Sequence, residues 1–283
     1  MEECIKQNVF IVELRHISGM LFDDDRNSIP FPGELEIIEE VVNEVKKACP
    51  FPFEFILVIT GLKIVGVSHV NKMLDHIRQG KEKFPHLIAG FDLVNEEEFT
   101  EPISAFMPEI LGAIEDKRAE SKTEGMQCFF HAGETHNRNI FNLHDSVLLN
   151  TRRIGHGFQL ALFPNLIEEV KKRDICVEVC PLSNMVLGYT LDLRTHPVRY
   201  LLNYGVQVSI SPDDPTFFDY QGVTLDYVFA TLAWELDIRD LKKMSLNGIT
   251  YSSIAQEKRD MMKKDVFPKK WATFIDWLCA YKI

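Results

Sequence analysis

One pattern constrains this chain more than any other. A short β-branched or aromatic run, a turn and a stretch of helical period follow one another again and again along it. Alternation of that kind predicts parallel strands joined by crossover helices. The first unit is Val9 to Arg15, followed by Gly33 to Lys47, where Leu35, Ile38, Val41, Val42 and Val45 share a helical face. Next come Phe53 to Ile59 with a helix over Ser68 to Gln79, and Leu87 to Val94 with a helix over Ser104 to Ala119. Met126 to His131 precedes a helix over Leu143 to Asn150, Arg153 to His156 a helix over Asn165 to Lys172, and Ile175 to Cys180 a loop and then a helix over His196 to Tyr204. Gln207 to Ser211 comes last, with a long helix whose expected buried face is Leu225, Val228, Phe229, Leu232 and Leu236. The remainder, through Trp271, Phe274 and Trp277, reads as outer helices with apolar anchors. No Pro/Gly-rich linker or long charge block interrupts the series, which predicts a single α/β domain over residues 1–283. Seven units fit an open doubly wound sheet, whereas a closed (β/α)8 barrel wants eight.

Composition narrows the partners. The chain has 31 Lys+Arg against 42 Asp+Glu, a formal net charge of −11. That balance argues against a nucleic-acid or anionic-membrane binder, which needs a basic footprint. No apolar run approaches the roughly 20 residues of a membrane helix. The N-terminus lacks a basic segment followed by an apolar one, so the chain as written shows no signal-peptide pattern. The 6 cysteines have no CxxC pair or framework spacing and read as buried thiols.

In either α/β architecture ligands bind at the C-terminal ends of the strands. The fourth run ends His131-Ala-Gly-Glu134, the fifth Gly155-His156-Gly157, and the seventh Ser211-Pro-Asp213-Asp214-Pro215. Imidazole and carboxylate suit Zn2+, and a nearby glutamate that does not ligate the metal can move protons. The chemistry indicated is metal-assisted hydrolysis at an unsaturated carbon. Each residue also has a plainer reading: a structural histidine, a turn that caps a helix, or glycines that serve tight backbone geometry. Their convergence on one rim favours the site. His16, His69, His76, His86, His136, His144 and His196 read as surface or structural, and Cys180 to Asn184 either as a loop over the site or as a polar turn. No phosphate loop, GxGxxG or GxSxG occurs.

Phe129-Phe-His-Ala-Gly-Glu-Thr135, Asn150 to Phe158, Val177 to Asn184 and Ser211-Pro-Asp-Asp-Pro215, in that order, resemble the adenosine deaminase family. Leu187 to Pro197, Val12 to Arg15 and Ala89-Gly-Phe-Asp-Leu-Val94 look most like its growth-factor-related branch, the type-2 adenosine deaminases. The resemblance covers nearly the whole chain. It implies a TIM-type (β/α)8 barrel of the metal-dependent hydrolase kind and hydrolysis of adenosine and 2′-deoxyadenosine to the inosine products and ammonia. It further implies zinc ligands at His131 and Asp213, a proton shuttle at Glu134, an orienting role for the attacking hydroxide at His156, and a hydrogen bond to the purine ring from Asp214. Secretion and a homodimer of full-length members are implied as well.

Two departures stand out. The family's first strand carries a His-x-His pair that supplies two more zinc ligands, and none occurs among the 9 histidines. The expectation is therefore an N-terminally incomplete barrel that begins at the family's second strand, which accounts for seven units. His16 is placed to substitute, although distance and geometry limits argue against it. The family also has glycine after Asp-Leu-Val, where the backbone approaches the base, and Asn95 stands there instead, so its side chain is expected to re-shape the purine pocket. Two alternatives remain open: a catalytically impaired nucleoside-binding or extracellular signalling protein, and a deaminase of a related aminopurine.

Overall fold

The computed structural model describes residues 1–115 and 126–281. Each apolar run becomes a strand: β1 (Ile11–His16), β2 (Glu54–Leu62), β3 (Ile88–Val94), β4 (Gln127–Cys128), β5 (His131–Ala132), β6 (Arg153–His156), β7 (Cys176–Val179) and β8 (Gln207–Ile210). β4 and β5 are two stretches of the expected fourth strand. Phe129 N donates to Phe91 O and Gly155 N to Phe130 O, each at 2.9 Å, so the pairing runs on between them. The ladder β1-β2-β3-β4 thus continues into β5-β6-β7-β8, and every pair is parallel.

The helices are α1 (Glu2–Lys6), α2 (Phe31–Ala48), α3 (Val67–Lys83), α4 (Met107–Ile114), α5 (Asn142–Leu148), α6 (Pro164–Lys172), α7 (Pro181–Val186), α8 (Val198–Asn203), α9 (Thr224–Trp234), α10 (Ile238–Thr250), α11 (Gln256–Met261) and α12 (Phe267–Ala280). Proline in the first turn starts α2, α4, α6, α7 and α12, where its fixed φ suits the helix and its absent N–H leaves no bond unmade. No described helix is long and apolar enough to cross a membrane.

Side-chain alternation along β2 divides the core. Leu57 and Ile59 join the large cluster beneath the helices, while Ile56 and Val58 join Ala89 and Phe129 in a separate group on the other face. A layer of charge lies on that inner side. Arg15 Nη2 of β1 donates to Glu178 Oε2 of β7 at 2.5 Å, and Arg153 of β6 donates to Glu178 Oε1 at 2.5 Å and to Glu13 of β1. Side chains of β1 can meet those of β6 and β7 only if the sheet curls back on itself. This is the TIM-barrel type of architecture, and the C-terminal ends of the strands form one rim.

Four readings need correction. The expected helix over Ser104 to Ala119 is a 3-10 turn followed by α4, and residues 116–119 lie outside the described residues. The loop after β7 contains α7. Of the expected buried face, Leu225, Val228, Phe229 and Leu232 of α9 are exposed, Leu232 at 76%, while Leu236 beyond the helix packs half-buried against the core. Asp226, Ala230 and Trp234 face inward instead, because Asp226 accepts from Leu182 N and the Tyr220 hydroxyl and Trp234 Nε1 donates to Leu193 O, which makes burial of their polar atoms affordable. In α12 the buried anchor is Phe267, whereas Trp277 is 56% exposed. Cys128, Cys176 and Cys180 are buried free thiols, as expected, whereas Cys4 and Cys49 are half-buried and Cys279 is exposed.

Candidate active site

β5 brings His131 to the rim, in register with Gly155 of β6. A Cβ at Gly155 would stand 3.2 Å from His131 Cα and 3.3 Å from its ring, so only a glycine lets the two strands pack there without displacement. His156 ends β6 with φ +64°, and Asp213 lies beyond β8 with φ +61°. Both occupy the left-handed region, where a non-glycine residue carries strain that commonly marks a functional site. The result is a close cluster: donor atoms of His131, His156 and Asp213 all lie within 4.8 Å of one another, the only such group among the described residues.

Each member is held from behind. Asp92 of β3 is fully buried, and its Oδ2 lies 2.6 Å from His131 Nδ1, while Oδ1 accepts from His131 N at 2.9 Å and from Leu93 N at 2.7 Å. Arg15 Nε donates to the same carboxylate at 3.2 Å. With Nδ1 engaged, the Nε2 of His131 is the ring nitrogen left to bind a metal. Burial alone lowers the His131 pKa, but the Asp92 charge and hydrogen bond outweigh it and push the value up to about 9. Asp213 Oδ2 accepts the Ser183 hydroxyl of α7 at 2.6 Å. His156 lies 3.4 Å from Asn184 Nδ2, and Asn184 Oδ1 is 3.1 Å from Nε2 of His196, whose pKa burial lowers to about 3, so that ring is neutral.

Glu134 faces His156, with Oε1 3.3 Å from Nδ1, but this oxygen is buried without a hydrogen-bond partner. Burial raises the Glu134 pKa against the opposing pull of the histidines, which suits a group that must both take and give a proton. Its backbone N donates to Glu97 Oε1 at 2.6 Å. Asp214 is exposed beside the cluster, its pKa raised by partial desolvation and by Asp213.

His131, Glu134, His156 and Asp213 are thus brought together. Asn95 is not part of the cluster: it follows β3 directly with φ +112°, and its Oδ1 accepts from Ile64 N at 3.2 Å. His16 lies apart as well, 3.2 Å from Glu34. Sequence reasoning passed over Asp92, although a carboxylate in the apolar run Ala89 to Val94 was a visible signal, and it gave Ser183 and Asn184 no supporting role. The donor set suits a divalent cation: two imidazoles, a carboxylate and a carboxylate oxygen without a hydrogen-bond partner converge there.

Comparison with known proteins identifies the family. The family model described as adenosine deaminase matches residues 1–268. Adenosine deaminase 2 of Dictyostelium discoideum is 39% identical over 290 residues, covering 98% of this chain and 51% of that protein, so the chain spans about half the length of the curated relatives it matches. A crystal structure of an amidohydrolase from Burkholderia ambifaria with bound Zn superposes with a TM-score of 0.78 at 19% identity, over 99% of this chain and 73% of that one. The Arabidopsis protein ADAL complexed with IMP gives 0.76 at 16% identity, over 95% of this chain and 74% of that one. The chain belongs to the adenosine deaminase family.

Proposed function

We propose that the chain carries out zinc-dependent hydrolytic deamination of adenosine and 2′-deoxyadenosine, releasing ammonia and the inosine products. The observation that carries this reading is the convergence of His131, His156, Asp213 and the unpartnered Glu134 oxygen on the rim of a barrel whose relatives are named adenosine deaminases. His131 and Asp213 would hold the metal, which would supply a Lewis acid that makes water nucleophilic near neutral pH. Asp92 fixes the ring of His131, and Ser183 fixes the carboxylate of Asp213. Glu134 takes the first proton of the attacking water and passes it to purine N1, then takes the second from the newly added C6 hydroxyl and passes it to the leaving amine, which ends with the carboxylate as it began. His156 orients the attacking oxygen, and Asp214 hydrogen-bonds the purine ring. Burial of Glu134 supports its role, because it raises the carboxyl pKa from its ordinary value and so favours the proton-carrying form. Secretion and a homodimer of the full-length protein belong to the same proposal.

The test is an adenosine absorbance assay on the chain loaded with zinc. Turnover is expected, and Glu134→Gln should abolish most of it while it retains the metal. Loss of metal in that variant would overturn the shuttle assignment. One observation favours a second reading, a nucleoside-binding chain without turnover: His131 and Asp213 are two ligands where catalytic zinc keeps at least three. Adenosine binding without stoichiometric zinc or product would select it.

A further inference from the structure

A second cleft opens at the other end of the barrel from the catalytic rim. It has a volume of about 730 Å3 and forms where the segments entering β6 and β7 meet the end of α10 and α11. Four cationic side chains line it, Arg152, Arg173, Arg259 and Lys263, against one carboxylate, Asp174. Such a concentration of positive charge runs against the net −11 of the whole chain.

The cations differ in how far the fold already uses them. Arg173 Nη1 donates to Val147 O at 2.9 Å, and so supports α5. The two Nη groups of Arg259 donate to Ser252 O at 2.8 Å and to Gln256 Oε1 at 2.6 Å, which leaves its Nε buried without a partner. Arg152 and Lys263 are exposed and have no side-chain hydrogen bond or ion pair among the described residues. Asp174 is occupied by the Tyr251 hydroxyl at 2.6 Å. An isolated free arginine or lysine is ordinary on a surface. Two of them in a concave, mostly polar cleft, beside an unpartnered guanidinium N–H, form a receptor for a multiply charged oxyanion.

We propose that this cleft binds a small phosphorylated ligand carrying at least two negative charges, with Arg152 and Lys263 as its direct charge partners. The volume lies in the range of small-molecule sites, roughly 300–1,000 Å3. The site is separate from the metal cluster, so binding does not depend on the deaminase reading.

Calorimetric titration of the metal-free 283-residue chain with inorganic pyrophosphate, at constant ionic strength, tests it. Saturable one-to-one binding is expected. The Arg152→Ala/Lys263→Ala double variant should weaken it at least tenfold with an unchanged thermal midpoint, because both side chains are exposed and unbonded. Asp213→Ala should leave it intact. Absence of saturable binding, equal binding by the double variant, or loss of binding in Asp213→Ala would each overturn the proposal, the last by placing the anion at the metal site.

Discussion

Asp92→Asn is the substitution that most directly examines how the site is held. The amide keeps the size of the carboxylate and can still accept from His131 N and Leu93 N, but it brings no charge to His131 Nδ1 or to Arg15. In the metal-free chain burial pulls the His131 pKa down and Asp92 more than restores it, to about 9. The unfolded value is about 6.5, and at about 1.4 kcal/mol per pH unit the gap corresponds to about 3 kcal/mol. Because the folded value is raised, this stabilisation is fully present below about pH 6.5 and is lost as pH rises through about 9. Asparagine leaves burial uncompensated, so the folded imidazole is neutral and the loss of stability as pH rises through about 9 disappears. Urea unfolding of metal-free parent and variant at about pH 6 and about pH 9.5 reads this out: the deficit of the variant should shrink by about 2–3 kcal/mol at the higher pH. Zinc affinity, measured by chelator competition, should also fall about 10–100-fold, because the ring loses its orienting partner. A deficit that is the same at both pH values, within about 0.5 kcal/mol, would refute the argument.

Three further substitutions have defined outcomes. Glu178→Gln removes the anion shared by Arg15 and Arg153 inside the barrel and should cost about 3 kcal/mol, the lower end for a broken buried pair, since Asp92 and Glu13 still hold the two arginines; chemical denaturation checks it. The two arginines hold the Glu178 pKa well below the carboxylate range despite its burial, so the stabilisation is present above about pH 4.3 and lost as pH falls, and the parent should show an acid-unfolding slope that the Gln variant lacks. Asn95→Gly relieves a backbone at φ +112°, worth about 1–3 kcal/mol, but gives up the bond to Ile64 N and adds chain entropy of about 0.5–1 kcal/mol; thermal unfolding should place it level with the parent or up to about 1 kcal/mol more stable, and clear destabilisation would show that the side chain matters more than the strain. Asp213→Ala should lose zinc by metal analysis and keep its fold by circular dichroism, because Asp213 lies beyond β8 and its carboxylate is tied to Ser183 and, at 3.9 Å, to His156, both of the rim itself.

The rim was legible because two local signals coincide there. Period-2 and all-apolar runs mark the strands, and His131, His156 and Asp213 stand where those runs stop. What supports them was hidden by distance along the chain: Asp92 and His131 are 39 residues apart, and Ser183 and Asp213 are 30 apart. Spacing within one element cannot reveal such partners. α7 was hidden for a local reason, since a proline at its first position and only 6 residues read as a turn. The face of α9 was misread because apolar periodicity reports which side is greasy and not which side is covered. Asp226 is buried there because Tyr220 and Leu182 satisfy it, even though burial raises its pKa to about 6.

The inner charge layer ties site and scaffold together. Arg153, Glu178, Arg15, Asp92 and His131 form one unbroken chain of ion pairs and hydrogen bonds from β6 through β7, β1 and β3 to the rim. A buried arrangement of this kind contributes little net stability compared with an apolar core of the same volume, yet removal of any one member is costly, because it strands a charge. Its presence is therefore better explained by what it positions than by what it stabilises. Asp92 must stay ionised to hold the tautomer of His131, the imidazole itself and then Arg15 keep it so, and Glu178 and Arg153 in turn fix Arg15 against the curl of the sheet. A substitution as far from the rim as Arg153 should then disturb the orientation of the metal ligand, and the barrel interior is part of the site.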